Sequence, residues 1–407
     1  MIPIRPEPLQ LLPARAADSY LQPGLLNLSA LPPLSLYVHF PWCVRKCPYC
    51  DFNSHEMGAE LPEAEYLAAL RADLERSLPL IWGRKIISVF IGGGTPSLIS
   101  APGLDTLLSD IRSLLPLEAE VEITMEANPG TFEAAKFRAF AASGVNRLSV
   151  GVQSFNPAHL KALGRIHDGD EARRAVDIAR ENFSNLNLDV MYALPHQTLQ
   201  EAEQDLRIAL DVEPTHLSLY HLTMEPNTVF AKYPPKLPSD DESAEMQQMI
   251  TQRAAEAGFE HYEVSAYARP GRRSRHNLNY WQFGDYLGIG AGAHSKLSFP
   301  HRIVRQARYR QPASYLQQAL AGNAVSEEAD IRRDELAFEF MLNALRLTGG
   351  FEVRLYTERT GLLLNSLDPS LDAAESKGLL QRDHLRIVPT PLGQRFLNDL
   401  QQMFLPD

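Results

Sequence analysis

Three cysteines, the only ones in a chain of 407 residues, lie in one eight-residue string, Cys43-Val-Arg-Lys-Cys47-Pro-Tyr-Cys50. Thiolates are metal ligands, and the spacing Cys-x3-Cys-x2-Cys supplies three from a single loop with no fourth. A four-iron cluster held this way keeps one iron free of protein ligands and open to the donor atoms of a small molecule. Arg45 and Lys46 sit between the first two cysteines, where positive charge favours the thiolates and an added electron. The alternative is a zinc site completed by His39 or His55. Zinc sites usually pair their ligands in two short knuckles, and here there is one loop. No cysteine is left over for a disulfide, which points to a reducing, cytoplasmic compartment.

Other chemistry-bearing residues recur at regular intervals, and the elements between them explain why. LSLYVHF (34–40), IISVFIG (86–92), VEITMEA (121–127), RLSVGV (147–152), LNLDVMY (186–192) and HLSLYHL (216–222) read as buried strands. Amphipathic stretches separate them, at about 64–77, 104–115, 131–143, 170–182 and 199–211. Strand–helix repeats of this kind predict a parallel sheet closing into an incomplete (β/α)6 barrel over residues 34–225. The cysteines follow the first strand and Gly92-Gly93-Gly94-Thr95 the second. Glu126 ends the third, Gln153 follows the fourth, and Asp189 lies on the fifth. In such a barrel the carboxyl ends of the strands carry the site. Tyr37, on the first strand, is assigned to the same rim.

Beyond residue 225 the pattern changes. Residues 226–329 form a barrel extension: a proline-rich loop, a helix at about 244–257, a short strand in HYEVSAYA, then RHNLNYW and the glycine-rich GDYLGIGAGAHS. Residues 330–407 read as helices around 333–347 and 352–360, another ending near Gly378, a hairpin in LLQRDHLRIVPTP and a last helix at 392–404. Helices with one hairpin suggest a winged-helix-like domain. That shape often binds DNA, but basic residues do not outnumber acidic ones here, so docking or capping is the expected role. Residues 1–33 are proline-rich and lack an apolar run, which reads as an N-terminal arm rather than a secretory signal. The net charge of -11 argues against nucleic-acid backbone binding. No stretch is apolar enough to span a membrane.

CVRKCPYC after a first strand resembles the signature of the radical S-adenosylmethionine (SAM) superfamily. The resemblance implies a [4Fe-4S] cluster on Cys43, Cys47 and Cys50 whose open iron binds the methionine part of SAM, with reductive cleavage to a 5'-deoxyadenosyl radical. It implies that Gly93, Gly94 and Thr95 hold the SAM amino group. Glu126 and Asp189 would accept hydrogen bonds from cofactor hydroxyls or amine, and Arg165 would pair with the SAM carboxylate. Gln153 and Tyr37 line the rim, and Tyr49 covers the adenine. Salt bridges, a surface arginine and ordinary core packing are the plainer roles for these residues.

LSLYVHFPWC, CPYCDFNSH, FIGGGTPS, EANPGT, GVQSF, LGRIH, EPNT and HNLNYW together resemble the oxygen-independent coproporphyrinogen III oxidase family, and within it the haem-chaperone branch. The resemblance covers residues 34–407. The decarboxylating enzymes carry a cysteine two positions beyond the third ligand, where this chain has Phe52. His276-Asn277-Leu278-Asn279-Tyr280-Trp281 matches the HNxxYW motif of the chaperone branch. It implies haem as cargo, an acceptor protein such as a membrane respiratory complex, and an electron donor for the cluster. His276 is a candidate axial ligand, Tyr280 and Trp281 candidate porphyrin-stacking surfaces, and Asn277 a partner for the imidazole or a propionate. His221 and His294 are rival ligands, and Arg272, Arg273 and Arg275 could meet propionates. SAM-dependent decarboxylation of coproporphyrinogen III is the alternative function. No residue is singled out as catalytic.

Overall fold

The computed structural model describes residues 17–24, 26–131 and 134–406. Six parallel strands follow one another: β1 Leu34–Phe40, β2 Ile86–Gly93, β3 Leu117–Ala127, β4 Arg147–Gln153, β5 Leu186–Tyr192 and β6 His216–His221. Each pairs with the next. The crossovers carry α1 Glu63–Ser77, α2 Ala101–Leu114, α3 Ala134–Ser143, α4 Gly169–Asn182 and α5 Leu199–Asp211. Alternation fixes which way each strand faces. Leu34, Leu36, Val38 and Phe40 pack outward in one core with Tyr66, Leu70 and Leu74 of α1. Ser35, Tyr37 and His39 therefore point into the barrel. Capping boxes at Asp168/Glu171 and Thr198/Glu201 start α4 and α5 sharply after their loops.

The sheet does not stop at six strands. A hairpin of β7 Glu260–Glu263 and β8 Ala266–Ala268 adds antiparallel to β6, where one short strand was expected. It follows α6 Asp240–Glu256. The glycine-rich string holds β9 Asp285–Ile289, which pairs parallel with β1 on the side away from β2. β10 His294–Phe299, β11 Arg302–Arg308 and β12 Val325–Asp330 continue antiparallel. The order is β12-β11-β10-β9-β1-β2-β3-β4-β5-β6-β8-β7, and its two ends do not pair, so the barrel is incomplete.

Buried charge ties the extension to the barrel. Arg308 on β11 is fully buried, 3.2 Å from Asp73 of α1, and also meets Ser77, Ser295 and Gln306. Asp285 on β9 pairs with Lys296 and Arg84, each at 2.8 Å. Beneath the amino ends of the strands lies α7 Arg275–Trp281, capped by Ser274. Glu122 on β3 accepts from the backbone N–H groups of Arg275 and His276. Asn279 donates to Ser35 Oγ and to the Asp285 carbonyl.

The C-terminal unit is winged-helix-like. It has helices α8 Leu336–Ala344, α9 Val353–Thr360 and α10 Asp368–Ser376 beside strands Phe351–Glu352, Leu380–Arg382 and Arg386–Pro389. The last helix is broken at Phe396 into Pro391–Arg395 and Leu397–Gln402. The arm is not separate from the rest. Leu26 and Leu28 enter the C-terminal core, and their N–H groups donate to the carbonyls of His301 and Pro300. Residues 1–16 lie outside the described ones.

Candidate functional site

The loops at the carboxyl ends of β1 to β6 enclose a cavity of about 430 Å³. Cys43, Cys47 and Cys50 line it, with Tyr49, Phe52, Gly93, Gly94, Thr95, Glu126, Gln153, Arg165, Asp189, Tyr220 and His221. One cavity thus gathers the cysteines and eight of the nine residues expected around a cofactor. Tyr37 is the exception. It lies deeper in the barrel, with its hydroxyl 2.9 Å from His39 Nδ1 and its ring near Phe90.

The cysteine loop rests on neighbouring backbone. The N–H of Gly94 donates to the Phe40 carbonyl and that of Thr95 to the Trp42 carbonyl. Gly93 has a φ of 118°. A Cβ there would lie 2.6 Å from the His39 ring, and one on Gly94 would lie 2.5 Å from the Trp42 oxygen. Only glycine lets these two segments pass so closely. His39 cannot complete a zinc site without giving up one of its two partners. Its Nδ1 faces the Tyr37 hydroxyl and its Nε2 donates to the Asn53 carbonyl at 2.9 Å. Burial lowers its pKa to about 4.

Among the described residues no three His, Cys, Asp or Glu side chains are placed to hold a single metal ion. Three thiols that share a cavity without converging on one point fit a cluster, in which each sulfur takes a different iron. Burial pushes the Cys43 and Cys50 thiols up, with Thr95 and Ser54 opposing it at Cys43, and Ser54 and Lys46 at Cys50. Cluster binding must therefore release protons. The expected help from the basic pair is partial: Arg45 and Lys46 are exposed, and Lys46 Nζ is occupied by the carbonyls of Phe52 and Ser54. The cation beside a sulfur is Arg165, with Nη1 3.6 Å from Cys47 Sγ and Nη2 donating to the Gly151 carbonyl. Its Nε is buried with no acceptor. Arg165 is thus no surface helix-end residue.

Glu126 and Asp189 are enclosed carboxyls without a salt bridge among the described residues. Gly93 N–H donates to Glu126 at 3.0 Å; Ser149 and Asn187 donate to Asp189 at 2.9 Å each. Burial, then the charge of Asp189, lifts the Glu126 carboxyl to about 8. Burial also raises Asp189. Such acids are set to receive a hydroxyl or an amine. Gln153 adopts a φ of 68°, a left-handed conformation that costs energy for a non-glycine residue.

His276, Asn277, Tyr280 and Trp281 are brought together by α7, but away from this cavity. His276 Nδ1 is 3.1 Å from Ser88 Oγ at the amino end of β2, and its ring lies tilted against Phe90. Burial lowers its pKa to about 3. Tyr280 packs on Tyr286, and Trp281 lies under the Arg346 guanidinium of the C-terminal unit. Arg273 and Arg275 are paired with Glu260 and Glu118. His221, in contrast, lines the cavity, with no hydrogen bond to either ring nitrogen among the described residues. Sequence reasoning missed the polar residues one turn of pleat below the rim, Thr124, Arg147, Ser149 and Asn187. Their period-2 alternation with apolar neighbours was the available signal.

The fold and the cysteine loop define a radical SAM protein. The Radical SAM superfamily pattern matches residues 37–209, and that of the HemN C-terminal domain matches residues 331–396. The curated protein Heme chaperone HemW of Escherichia coli is 47% identical, over 93% of this chain and 99% of its own. Proteins of the same name are 45% identical in Haemophilus influenzae and 34% in Bacillus subtilis, over 93% and 91% of this chain and 99% of each of theirs. The chain belongs to the HemW heme chaperone family. Coproporphyrinogen III oxidase (HemN) from Escherichia coli, a radical SAM enzyme, shares the fold with a TM-score of 0.79, covering 92% of this chain and 90% of its own at 24% identity. Membership of the superfamily implies a [4Fe-4S] cluster and SAM.

Proposed function

We propose that this protein binds haem over the cluster cavity and passes it to an acceptor protein. Cys43, Cys47 and Cys50 hold the cluster. Gly93, Gly94 and Thr95 border the SAM amino group, Glu126 and Asp189 accept from SAM hydroxyls or amine, and Arg165 meets its carboxylate. Gln153 and Tyr49 line the remaining wall. The bound cluster supplies one-electron chemistry at the open iron, and its redox state suits a switch between haem loading and release. The acceptor is a membrane respiratory complex or a haem enzyme, and a separate donor reduces the cluster.

One observation carries the haem assignment. The His221 imidazole, without a ring hydrogen bond among the described residues, stands in the same cavity as the three cysteines, beside Tyr220 and Phe52, which are 42% and 61% exposed. Burial lowers the His221 pKa, so the ring is neutral, as an iron ligand must be. His276, enclosed at the other end of the strands, is the weaker candidate. Haem titration of the anaerobically reconstituted protein tests this. His221→Ala is expected to shift the Soret band and weaken binding at least about tenfold, while His276→Ala keeps the wild-type spectrum. The reverse pattern transfers the ligand to His276, and no Soret change in the wild type ends the haem reading. Incubation with reductant, SAM and coproporphyrinogen III is expected to give no more than trace protoporphyrinogen. Turnover there would establish the decarboxylase instead.

A further inference from the structure

Arg147 begins β4 and points into the barrel, since Leu148 and Val150 on either side of the alternation pack outward in the core. It is 2% exposed. Among the described residues its guanidinium has no ion pair and no hydrogen bond, and its Nε is sealed from solvent without an acceptor. A buried charge left this way is costly. The register neighbour Thr124, fully buried on β3, has an Oγ1 that is also unpartnered.

No carboxylate nearby is free to answer it. Glu122 is engaged by Ser274, Arg275 and His276, Asp189 by Ser149 and Asn187, and Glu126 by Gly93. The positive charge nevertheless reaches Glu126, Asp189, His216, Tyr262 and His276, which places it centrally in the barrel. Tyr220, 42% exposed, opens onto the cluster cavity above, and Tyr37, Phe90 and His276, whose rings neighbour one another inside the barrel, are only half-buried.

We propose that Arg147 and Thr124 form an anion subsite inside the barrel, below the cluster cavity, that takes a carboxylate of the bound ligand. Two ligands could supply that group: a tetrapyrrole propionate, which rests on the haem reading above, or the methionine carboxylate of SAM, which does not and which would then meet Arg147 in place of Arg165. A planar guanidinium matches a carboxylate in two parallel hydrogen bonds, and the threonine hydroxyl adds a third donor. α7 closes the barrel beneath this point, so the carboxylate enters from the cysteine side.

The test compares each ligand with a form lacking the acid. Full-length, cluster-reconstituted protein is titrated with haem against haem dimethyl ester, and with SAM against decarboxylated SAM. The wild type is expected to prefer the acid form by about tenfold or more in one pair, and that pair identifies the source. Arg147→Met should reduce the preference to less than about twofold, and Arg147→Lys should retain part of it. Because the methionine removes an unmatched buried charge, the ligand-free Arg147→Met protein should melt above the wild type. A preference that survives in Arg147→Met overturns the proposal. So does equal loss of both members of a pair together with a lower melting temperature, the signature of a structural arginine. Absence of preference in the wild type overturns it too. If the wild type binds no haem at all, the haem reading fails, and the SAM pair alone decides on Arg147.

Discussion

At the residue scale, the Glu126 carboxyl shows most directly what the site is prepared for. Burial and the neighbouring Asp189 raise it from 4.5 to about 8, so the folded chain keeps a proton that the unfolded chain has lost. Between those two values the native state binds more protons, and stability falls as pH rises. The contribution is whole below about 4.5 and is gone above about 8. Glu126→Gln keeps the acceptor for Gly93 and removes the titration. Ligand-free Glu126→Gln is expected to melt close to the wild type at pH 5 and about 2–5 °C above it at pH 8.5. Equal melting shifts at both pH values would show that the carboxyl titrates normally. The acid itself was legible in the sequence as a charge ending an apolar strand. Its protonation was not, because that depends on burial inside the folded barrel and then on Asp189 two strands away. The same limit applies to Arg165. Its type suggested a carboxylate partner, but only the fold reveals that it reaches Cys47.

At the element scale, the instructive case is the HNLNYW string. The resemblance to the haem-chaperone branch implied a haem-facing segment, with aromatic surface and an imidazole available. The structure makes it a short helix, because Ser274 caps it and Glu122 binds its first N–H groups. Its two asparagines have opposite roles. Asn279 is 5% exposed and holds Ser35 and the Asp285 carbonyl, whereas the Asn277 side chain makes no hydrogen bond among the described residues. Asn279→Ala is expected to destabilise the protein by about 2 kcal/mol in urea unfolding, since it orphans buried partners. Asn277→Ala should stay within about 0.5 kcal/mol of wild type. Equal costs would mean that α7 is held by its aromatic contacts alone. The six parallel strands and their helices were legible because burial on both sides imposes continuous apolar runs. β9 was not, since DYLGIGAGAHS reads only as a glycine-rich string. Each residue of Asp285–Ile289 is buried, and its neighbour is β1, 251 positions earlier in the chain.

At the scale of the whole molecule, the question is whether the C-terminal unit is an independent module or part of one body. Its core is not its own. Phe283 and Ile303 of the extension and Leu26 and Leu28 of the arm are buried among Phe340, Tyr356 and Leu371. The arm also docks on the extension, where Tyr20 stacks on Phe299 with ring centroids 4.8 Å apart. A segment read from its composition only as an N-terminal arm therefore joins two layers that are distant in sequence. Burying two leucines contributes about 3–6 kcal/mol, comparable to the net stability of an ordinary domain. Leu26→Asp should then uncouple the C-terminal unit from the barrel. The expected result is a thermal unfolding profile that separates into two transitions, the lower one accompanied by protease cleavage near residue 330. Cluster absorbance should persist through that lower transition, because the cysteine loop rests on β1 and β2 rather than on the arm. A single transition at the wild-type temperature would mean that the unit stands on its own helices, and that Leu26 and Leu28 only cover a surface already stable without them.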